Sequence, residues 1–595
     1  MNRNKLLLII AVIICLIAIC AYFTTQTTSN TQSSYALSES EIDELTLDMT
    51  KWNYDEENDI YYQINVSYCT KPDAPEYETM GIYVPGKYFD GVKNDDGTYN
   101  CTVNTQNKVG NYTAATAPIV IPLNTPGYSA QTAPTSYNSQ DVKEFTDSGI
   151  IYAYPGCRGR DNGDNFTGGA PWGVTDMKAA IMYLRFNGEL LPGDTEEIFT
   201  FGHSGGGAQS AIIASSGDSE LYNPYLESIG AAMADKDGNT ISNSIYGAMC
   251  WCPITNLDTA DEGYEWYMGQ YSRSNDTWTY ELSNDLAEKY GKYINNLSLK
   301  DSSGNTLTLE ESDDGIYASG SYYDYQIKII EESLNNFLSD TSFPYTPQGG
   351  MDSMGGTPGG EMPSGDIPSG DMGMSESDET SANSSETYQT AKDYIDSLNS
   401  DEEWIEYDET TNTVKVKSIE SFVKHCKSPS KDVGAFDDLN RSQAENTVFG
   451  NDENDSLHFD SIMAEVLNLN NEKYLALDGY DSSYVGEYAG DIKLTDEFNN
   501  TVDKRVDMYN PMYYLCEYYD GYSTSTPAKH WRINSGIEQG DTATTVETNL
   551  ALALNQSEKV DDVELNVVWA QGHTQAERTG DSTSNFIAWI SQCVG

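Results

Sequence analysis

The N-terminal part of the chain alternates apolar and polar positions with a period of two residues. Residues 45–115 are rich in tyrosine, and Ile60–Val66 is the clearest alternating stretch. This period is typical of strands that bury one face and expose the other. The pattern therefore predicts an antiparallel edge to a β-sheet.

The pattern changes near residue 117 to short apolar runs that end at turn residues. The runs 117–122 and 149–154 predict strands that are buried on both faces. Between Trp172 and Asn187 the apolar residues recur at helical spacing, and residues 197–201 predict a further strand before a glycine-rich turn. Alternating strands and helices indicate a mainly parallel sheet of the α/β class.

The same alternation returns near the C-terminus. Residues 530–534 and 563–569 predict strands, and residues 544–555 and 584–593 predict helices. The core of the fold is therefore predicted to come from two separated parts of the chain. These parts are residues 45–260 and 511–595.

Residues 261–510 lack this rhythm and contain helical and polar stretches. We expect an inserted domain that covers the active site as a lid. Within it, residues 347–386 repeat glycine, methionine, proline and serine and contain few large apolar side chains. Such a composition cannot form a packed core, so this stretch is predicted to be a disordered loop.

Residues 1–30 have the features of an export signal. Arg3 and Lys5 precede an unbroken apolar run, Leu6–Phe23, and a spacer rich in threonine, serine and glutamine follows. A run of this length fits either a cleaved signal peptide or an uncleaved spanning helix. We expect an extracytoplasmic protein, secreted or anchored by this segment to the outer face of the cell membrane, with no other membrane contact.

The overall charge excludes one class of partner. Lysine and arginine total 33 against 93 aspartate and glutamate residues, which gives a formal net charge of -60. Nucleic-acid binding requires basic patches that release counterions from phosphates, so no nucleic-acid partner is expected. The acidic residues are interpreted as the solvated surface of an exported protein.

The chain has ten cysteines, two of them in the apolar N-terminal run. An exported protein can form disulfides, and Cys69 with Cys101 or Cys516 with Cys593 are candidate bridges. Free buried thiols are the alternative, and the sequence leaves both open. The two cysteines of residues 250–252 lack the second pair of ligands that a structural metal site needs, so no metal is expected.

The glycine-rich turn after residues 197–201 carries the clearest chemical motif. It reads Gly202-His203-Ser204-Gly205-Gly206, a Gly-x-Ser-x-Gly sequence between a predicted strand and a predicted helix. In this setting the glycines permit a sharp turn and the serine is held exposed at its tip. We therefore predict that Ser204 is a catalytic nucleophile and that the fold is an α/β-hydrolase fold with a large inserted lid.

A serine nucleophile needs a base, and only five histidines are available. His573 follows the last predicted strand, where the order serine, acid, histidine expects the base. The acid should follow the preceding strand, where Asp541 and Glu538 are the candidates. Asp541 is preferred because it lies at a turn before a helix, although aspartate is also a common helix cap there.

The oxyanion that forms during ester cleavage needs backbone N–H donors. Gly205 follows the nucleophile and is predicted to supply the first donor. The second should come from the loop after residues 117–122, where Pro126 has no N–H and leaves Thr125 or Gly127. We select Gly127 for this role.

With these residues in view, the chain resembles the bacterial tannases and feruloyl-esterase-like proteins of the α/β-hydrolase fold, in particular the lactobacillus type of tannase. The similarity covers most of the chain after about residue 115, except the loop rich in glycine, methionine and proline. The segments that carry it are Gly156–Arg160, Asp176–Ile181, Leu191–Asp194, the Ser204 turn, Cys252–Leu257 and His530–Ile533.

The resemblance implies roles for residues that the sequence alone would assign to a solvated surface. Ser204 and His573 fall on the family's nucleophile and base. Lys431 and Glu445, together with Asp541, fall on residues that hold the hydroxyl groups of a galloyl ring. Phenolic hydroxyls donate to carboxylates and accept from ammonium groups, so the chemistry is consistent with this role.

One departure from the family affects the triad. The family's triad acid matches Gln539 in this chain, and Asp541 matches a second acid two residues later. Glutamine does not stabilise an imidazolium as a carboxylate does. Either Asp541 or Glu538 then serves as the acid. In the first case galloyl recognition is in doubt, and a hydroxycinnamate ester becomes an alternative substrate.

Taken with the resemblance, the motifs predict a serine esterase that hydrolyses small carboxylic esters, of gallate or hydroxycinnamate, through an acyl-enzyme. This chemistry requires no metal or organic cofactor. A general carboxylesterase or peptidase of the same fold, and a non-catalytic surface binding protein, are the alternatives. The oligomeric state is not predicted.

Overall fold

The computed structural model describes residues 35–162, 168–347, 386–427 and 429–595. The predicted signal or anchor, residues 1–30, lies outside these ranges, as do residues 348–385 of the loop predicted to be disordered. Among the helices of the described ranges, none is long and apolar enough to cross a membrane.

A nine-stranded sheet forms the centre of the protein. Its strands, numbered in chain order, are β1 (Asn53–Asp55), β2 (Ile60–Ser67), β3 (Thr79–Pro85), β4 (Ile119–Leu123), β5 (Ile151–Pro155), β6 (Ile198–His203), β7 (Gly247–Trp251), β8 (His530–Gly536) and β9 (Asp562–Val568). Across the sheet they lie in the order β1-β2-β3-β5-β4-β6-β7-β8-β9. Strands β4 to β9 pair in parallel, whereas β1, β2 and β3 form an antiparallel edge beside β5.

This topology confirms the predicted α/β-hydrolase class with a mainly parallel central sheet. All residues of β4 and β7 are buried, as expected for strands that are covered on both faces. The outermost strand β9 is largely half-buried. The apolar runs therefore identified the sheet interior because only continuous apolar strands can be covered on both faces.

Helices connect and cover the strands of the core. They are Glu39–Leu45, Lys143–Asp147, Trp172–Phe186, Gly205–Ser215, Asn223–Ser228, Pro511–Leu515, Thr545–Gln556 and Ser582–Cys593. Two antiparallel hairpins lie outside the central sheet, Phe89–Lys93 with Tyr99–Val103 and Lys108–Val109 with Tyr112–Thr113. The predicted helices and strands of both parts of the core are thus present.

Residues 252–529 separate β7 from β8 along the chain. Their helices are Ala260–Tyr264, Gln270–Ser272, Trp278–Leu297, Ser321–Asp340, Ala391–Leu398, Ile419–Cys426, Ala444–Val448, Ser461–Tyr474, Ser483–Asp491, Val502–Met508 and the core helix Pro511–Leu515. Their hairpins are Glu310–Ser312 with Gly315–Ser319 and Ile405–Asp408 with Thr413–Val416. The division into a separate lid domain at residues 261–510 stays a prediction.

The described cysteines are all unpaired, so neither candidate bridge is formed. The thiol of Cys69 lies 3.8 Å from the carboxylate of Glu78, and that of Cys516 lies 3.5 Å from the carbonyl oxygen of Leu297. These thiols are buried among other partners, and burial raises the pKa of Cys69. The protein therefore has the free buried thiols that were the alternative to disulfides.

We expect protein that begins at residue 35, unfolded without reductant, to react with a thiol reagent at all eight of its cysteines. The folded protein should react much more slowly, because burial keeps most of these thiols protonated and inaccessible. A count of six or four thiols in the unfolded protein would show that one or two disulfides form.

Candidate active site

Ser204 occupies a strained turn between β6 and the helix Gly205–Ser215. Its φ and ψ angles are 59° and -125°, in a region that non-glycine residues rarely adopt. A Cβ atom on Gly206 would lie 2.0 Å from the carbonyl oxygen of Leu123, and one on Gly202 would lie 2.4 Å from the backbone of Gly206. Side chains at these two glycines would therefore prevent the turn from closing.

His573 lies in the loop after β9 and is brought to this turn by the parallel sheet. Its ring packs against the ring of His203, the neighbour of Ser204, with the centroids 4.7 Å apart. Burial lowers the pKa of His573 and lowers that of His203 to about 3. Both rings are therefore neutral near pH 7, and a neutral imidazole at the nucleophile can act as a base.

The Nδ1 atom of His573 makes its hydrogen bond to the side-chain oxygen of Gln539, at 2.8 Å. The carboxylate of Asp541 is 3.9 Å from the same nitrogen and is about 44% exposed. Its charge raises the pKa of His573. Asp541 therefore affects the protonation of the ring but does not form the hydrogen bond that orients it. The role of Asp541 as the triad acid stays a prediction.

Glu538, the other candidate for the triad acid, affects the pKa of residues other than His573. Its charge raises the pKa of Tyr345, Tyr394 and Cys426, and burial raises its own pKa to about 7. No hydrogen bond between Glu538 and His573 is present within the described residues.

Sequence reasoning missed the residues that hold Gln539. Its side-chain nitrogen donates to Glu547 at 3.0 Å and to the hydroxyl of Ser535 at 2.5 Å. The ammonium of Lys427 donates to the backbone oxygen of Gln539 at 2.8 Å. One signal was available for Glu547, since it is the single charged residue of the helix Thr545–Gln556.

The loop after β4 closes over the start of the nucleophile helix. A Cβ atom on Gly205 would lie 2.4 Å from the nitrogen of Tyr128 and 2.9 Å from that of Gly127. Arg160 donates to the carbonyl oxygen of Gly127 at 2.7 Å, and Thr125 donates its hydroxyl to Gln209 at 3.0 Å. The predicted oxyanion donors Gly205 and Gly127 are thus adjacent, and their role stays a prediction.

Residues 252–529 contribute two charges to the site. Lys431 is half-buried, with its ammonium 4.2 Å from the ring centre of Phe436, and its charge lowers the pKa of His573. Glu445 is 3% exposed, and its charge raises the pKa of Tyr128 beside the oxyanion loop. Lys431 is therefore close enough to His573 to affect its pKa, and Glu445 is close enough to affect Tyr128 in the loop after β4.

One group of side chains in the described ranges could hold a metal ion. Ligand atoms of His203, Cys252 and His573 lie within 4.8 Å of one another. Neutral imidazole and thiolate are zinc ligands, but burial raises the pKa of Cys252 to about 12. A metal bound there would also occupy a ring nitrogen of His573, which could then not serve as the predicted base.

Comparison with solved structures finds bacterial tannases. The tannase of Fusobacterium nucleatum is 27% identical, with 90% of this chain and 95% of that chain covered and a TM-score of 0.63. The tannin acyl hydrolase of Lactobacillus plantarum is 23% identical, with 93% and 99% covered and a TM-score of 0.64. Comparison with protein-family models and with curated protein sequences finds no match. The resemblance to the tannases that the sequence indicated is thus confirmed by the structure.

Removal of the Lys431 charge and removal of the Asp541 charge should shift the acidic limb of the pH profile of kcat/KM in opposite directions. Burial lowers the pKa of the base from 6.5, so activity should rise through a pKa below that value. Lys431→Met removes a positive charge that disfavours the imidazolium, so the limb should move to higher pH. Asp541→Asn removes a negative charge that favours it, so the limb should move to lower pH.

The exposed neighbour Asp432 provides the control, since Asp432→Asn should shift the limb less than either variant. Shifts of the same sign for Lys431→Met and Asp541→Asn would contradict the electrostatic arrangement.

Proposed function

We propose, from the fold shared with the bacterial tannases, that this protein is a carboxylic ester hydrolase in which Ser204 is the nucleophile. The observation that carries the proposal is the strained Ser204 turn, with the half-buried, neutral His573 ring packed against the neighbouring His203. Ser204 is 8% exposed. A serine at the tip of such a turn can attack a bound carbonyl group, and a neutral imidazole can take its proton.

The reaction then follows two steps. Ser204 Oγ bonds to the ester carbonyl carbon while its proton passes to Nε2 of His573, and the amides of Gly205 and Gly127 donate to the oxyanion. Collapse of this intermediate breaks the bond to the alcohol, which leaves with the proton from His573. Water then attacks the acyl-enzyme and gives a proton to His573. The bond between the acyl carbon and Ser204 Oγ breaks as His573 returns that proton to Oγ, which releases the carboxylic acid and restores free Ser204.

Esters of phenolic acids are the substrates that the surrounding charges favour. Two solved structures of tannin acyl hydrolase with this fold hold ethyl gallate and 3,4-dihydroxybenzoate. Here Glu445 is 3% exposed, and its charge raises the pKa of Tyr128 in the loop after β4. A phenolic hydroxyl would donate a hydrogen bond to such a carboxylate. Lys431 and Asp541 would contact further hydroxyl groups.

The site of action proposed for this esterase is the outer face of the cell membrane. The support is the apolar run Leu6–Phe23 after two basic residues, together with a net charge of -60 that suits a solvated exterior surface. Protease treatment of intact cells should then degrade the protein, and complete protection until the cells are lysed would contradict this location.

Hydrolysis of methyl gallate, methyl ferulate and p-nitrophenyl acetate by the protein and by Ser204→Ala tests the proposal. We expect methyl gallate or methyl ferulate to be cleaved. Ser204→Ala should lower the rate roughly 10⁵-fold or more, as substitution of a triad nucleophile does. Peptide anilides should be cleaved much more slowly than esters. No hydrolysis of any ester would favour a non-catalytic binding protein, and activity that survives Ser204→Ala would place the chemistry elsewhere.

Recognition of the phenolic ring is tested by Glu445→Gln and Lys431→Met. We expect each to lower kcat/KM for methyl gallate by roughly 10- to 100-fold, the cost of losing a hydrogen bond to a charged group. Hydrolysis of p-nitrophenyl acetate at a fixed pH above the acidic limb should change little, because this substrate has no such hydroxyl groups. Equal losses on both substrates would contradict a role in ring recognition.

A further inference from the structure

The catalytic histidine of this protein is held by an amide, and that amide is itself held by a buried carboxylate. His573 Nδ1 contacts Gln539 Oε1 at 2.8 Å, and Gln539 Nε2 contacts Glu547 Oε1 at 3.0 Å. The hydroxyl of Ser535 donates to the same Glu547 oxygen at 2.8 Å and accepts from Gln539 at 2.5 Å. Gln539, Glu547 and Ser535 thus form a closed set of hydrogen bonds behind the ring.

Glu547 determines which end of the Gln539 amide faces the histidine. An ionised carboxylate only accepts hydrogen bonds, so the amide must present its NH2 group to Glu547. The amide oxygen is then left to face His573, where it can only accept. The proton of the neutral ring is therefore held on Nδ1, and Nε2 is free to take the proton of Ser204.

Burial of Glu547 opposes ionisation of its carboxyl group, whereas the nearby charge of Lys427 favours it. The side chain is completely buried, and burial raises its pKa. The charge of Lys427, which is 2% exposed, lowers that pKa, and its ammonium donates to the backbone oxygens of Gln539 and Thr542 at 2.8 and 3.1 Å. Lys427 thus fixes the backbone of Gln539 while it balances the charge of Glu547.

We propose that Glu547 is a positioning residue that takes the place of a triad acid indirectly. It acts on His573 through the side-chain amide of Gln539. This inference rests on the proposed serine chemistry and deepens it. The negative charge lies one side chain farther from the ring than in a triad with a direct acid. It orients the ring, selects the tautomer and stabilises the imidazolium that forms when Ser204 attacks.

A purely structural role for Glu547 makes a different prediction, because the residue also lies in the first turn of the helix Thr545–Gln556. Loss of packing or of a helix-end charge would lower stability and activity alike, whichever residue stands at position 539. A role through Gln539 must instead depend on the chemistry of that residue. The two roles are separated by combining substitutions at the two positions.

The experiment measures ester hydrolysis and the rate of inactivation by a fluorophosphonate for the full chain, Glu547→Gln, Gln539→Asp and the double variant. In the native background, Glu547→Gln should lower kcat and the inactivation rate by roughly 10- to 100-fold, below the roughly 10⁴-fold loss when a direct triad acid is neutralised. KM should change less than twofold. In the Gln539→Asp background, Glu547→Gln should instead raise kcat and the inactivation rate. Two adjacent carboxylates repel, and Glu547→Gln relieves that repulsion.

Glu331→Gln is the matched control, since Glu331 is also buried and accepts hydrogen bonds from Lys415 and Val416 away from the site. It should leave kcat within about twofold in both backgrounds. Equal losses from Glu547→Gln in both backgrounds, or no loss in the native one, would overturn the proposal. Inactivation does not depend on the acyl group, so a wrong substrate class would leave this comparison intact. Failure of the native protein to react with the fluorophosphonate would reject the serine chemistry and the proposal together.

Discussion

The turn at Ser204 depends on backbone atoms that approach too closely for any side chain. The carbonyl oxygen of Leu123, at the end of β4, occupies the place that a Cβ atom on Gly206 would need. The oxyanion loop after β4 similarly reaches the space beside Gly205. The position of Ser204 and the proximity of the two predicted oxyanion donors follow from this close packing of β4, β6 and the helix Gly205–Ser215.

The protonation of His573, the proposed base, depends on burial and on charges at a distance. Burial lowers the pKa of the ring and so favours its neutral form, and Asp541 and Lys431 change that pKa in opposite directions. The hydrogen bond that orients the ring comes from the neutral Gln539. Orientation and charge, which a triad acid supplies with one side chain, are therefore divided here among several residues.

Hydrophobic patterning predicted the sheet and its flanking helices because strands buried on both faces and amphipathic helices leave a local signal in the sequence. The Ser204 turn and His573 could also be predicted from the sequence, since each directly follows a predicted strand. Glu547 was not predicted because its partner Gln539 carries no charge and their contact depends on how the helix packs behind β8. Lys431 and Glu445 were found through the family resemblance alone, because their approach to the site depends on the folding of residues 252–529.

The proposed chemistry depends on an activated hydroxyl group at Ser204. Reaction of the intact protein with a fluorophosphonate, followed by peptide mapping by mass spectrometry, tests it without reference to any substrate. We expect one adduct, on the peptide that contains Ser204, and its loss in His573→Ala. An adduct on a different serine, or an unmodified protein after prolonged reaction, would show that Ser204 is not an activated nucleophile.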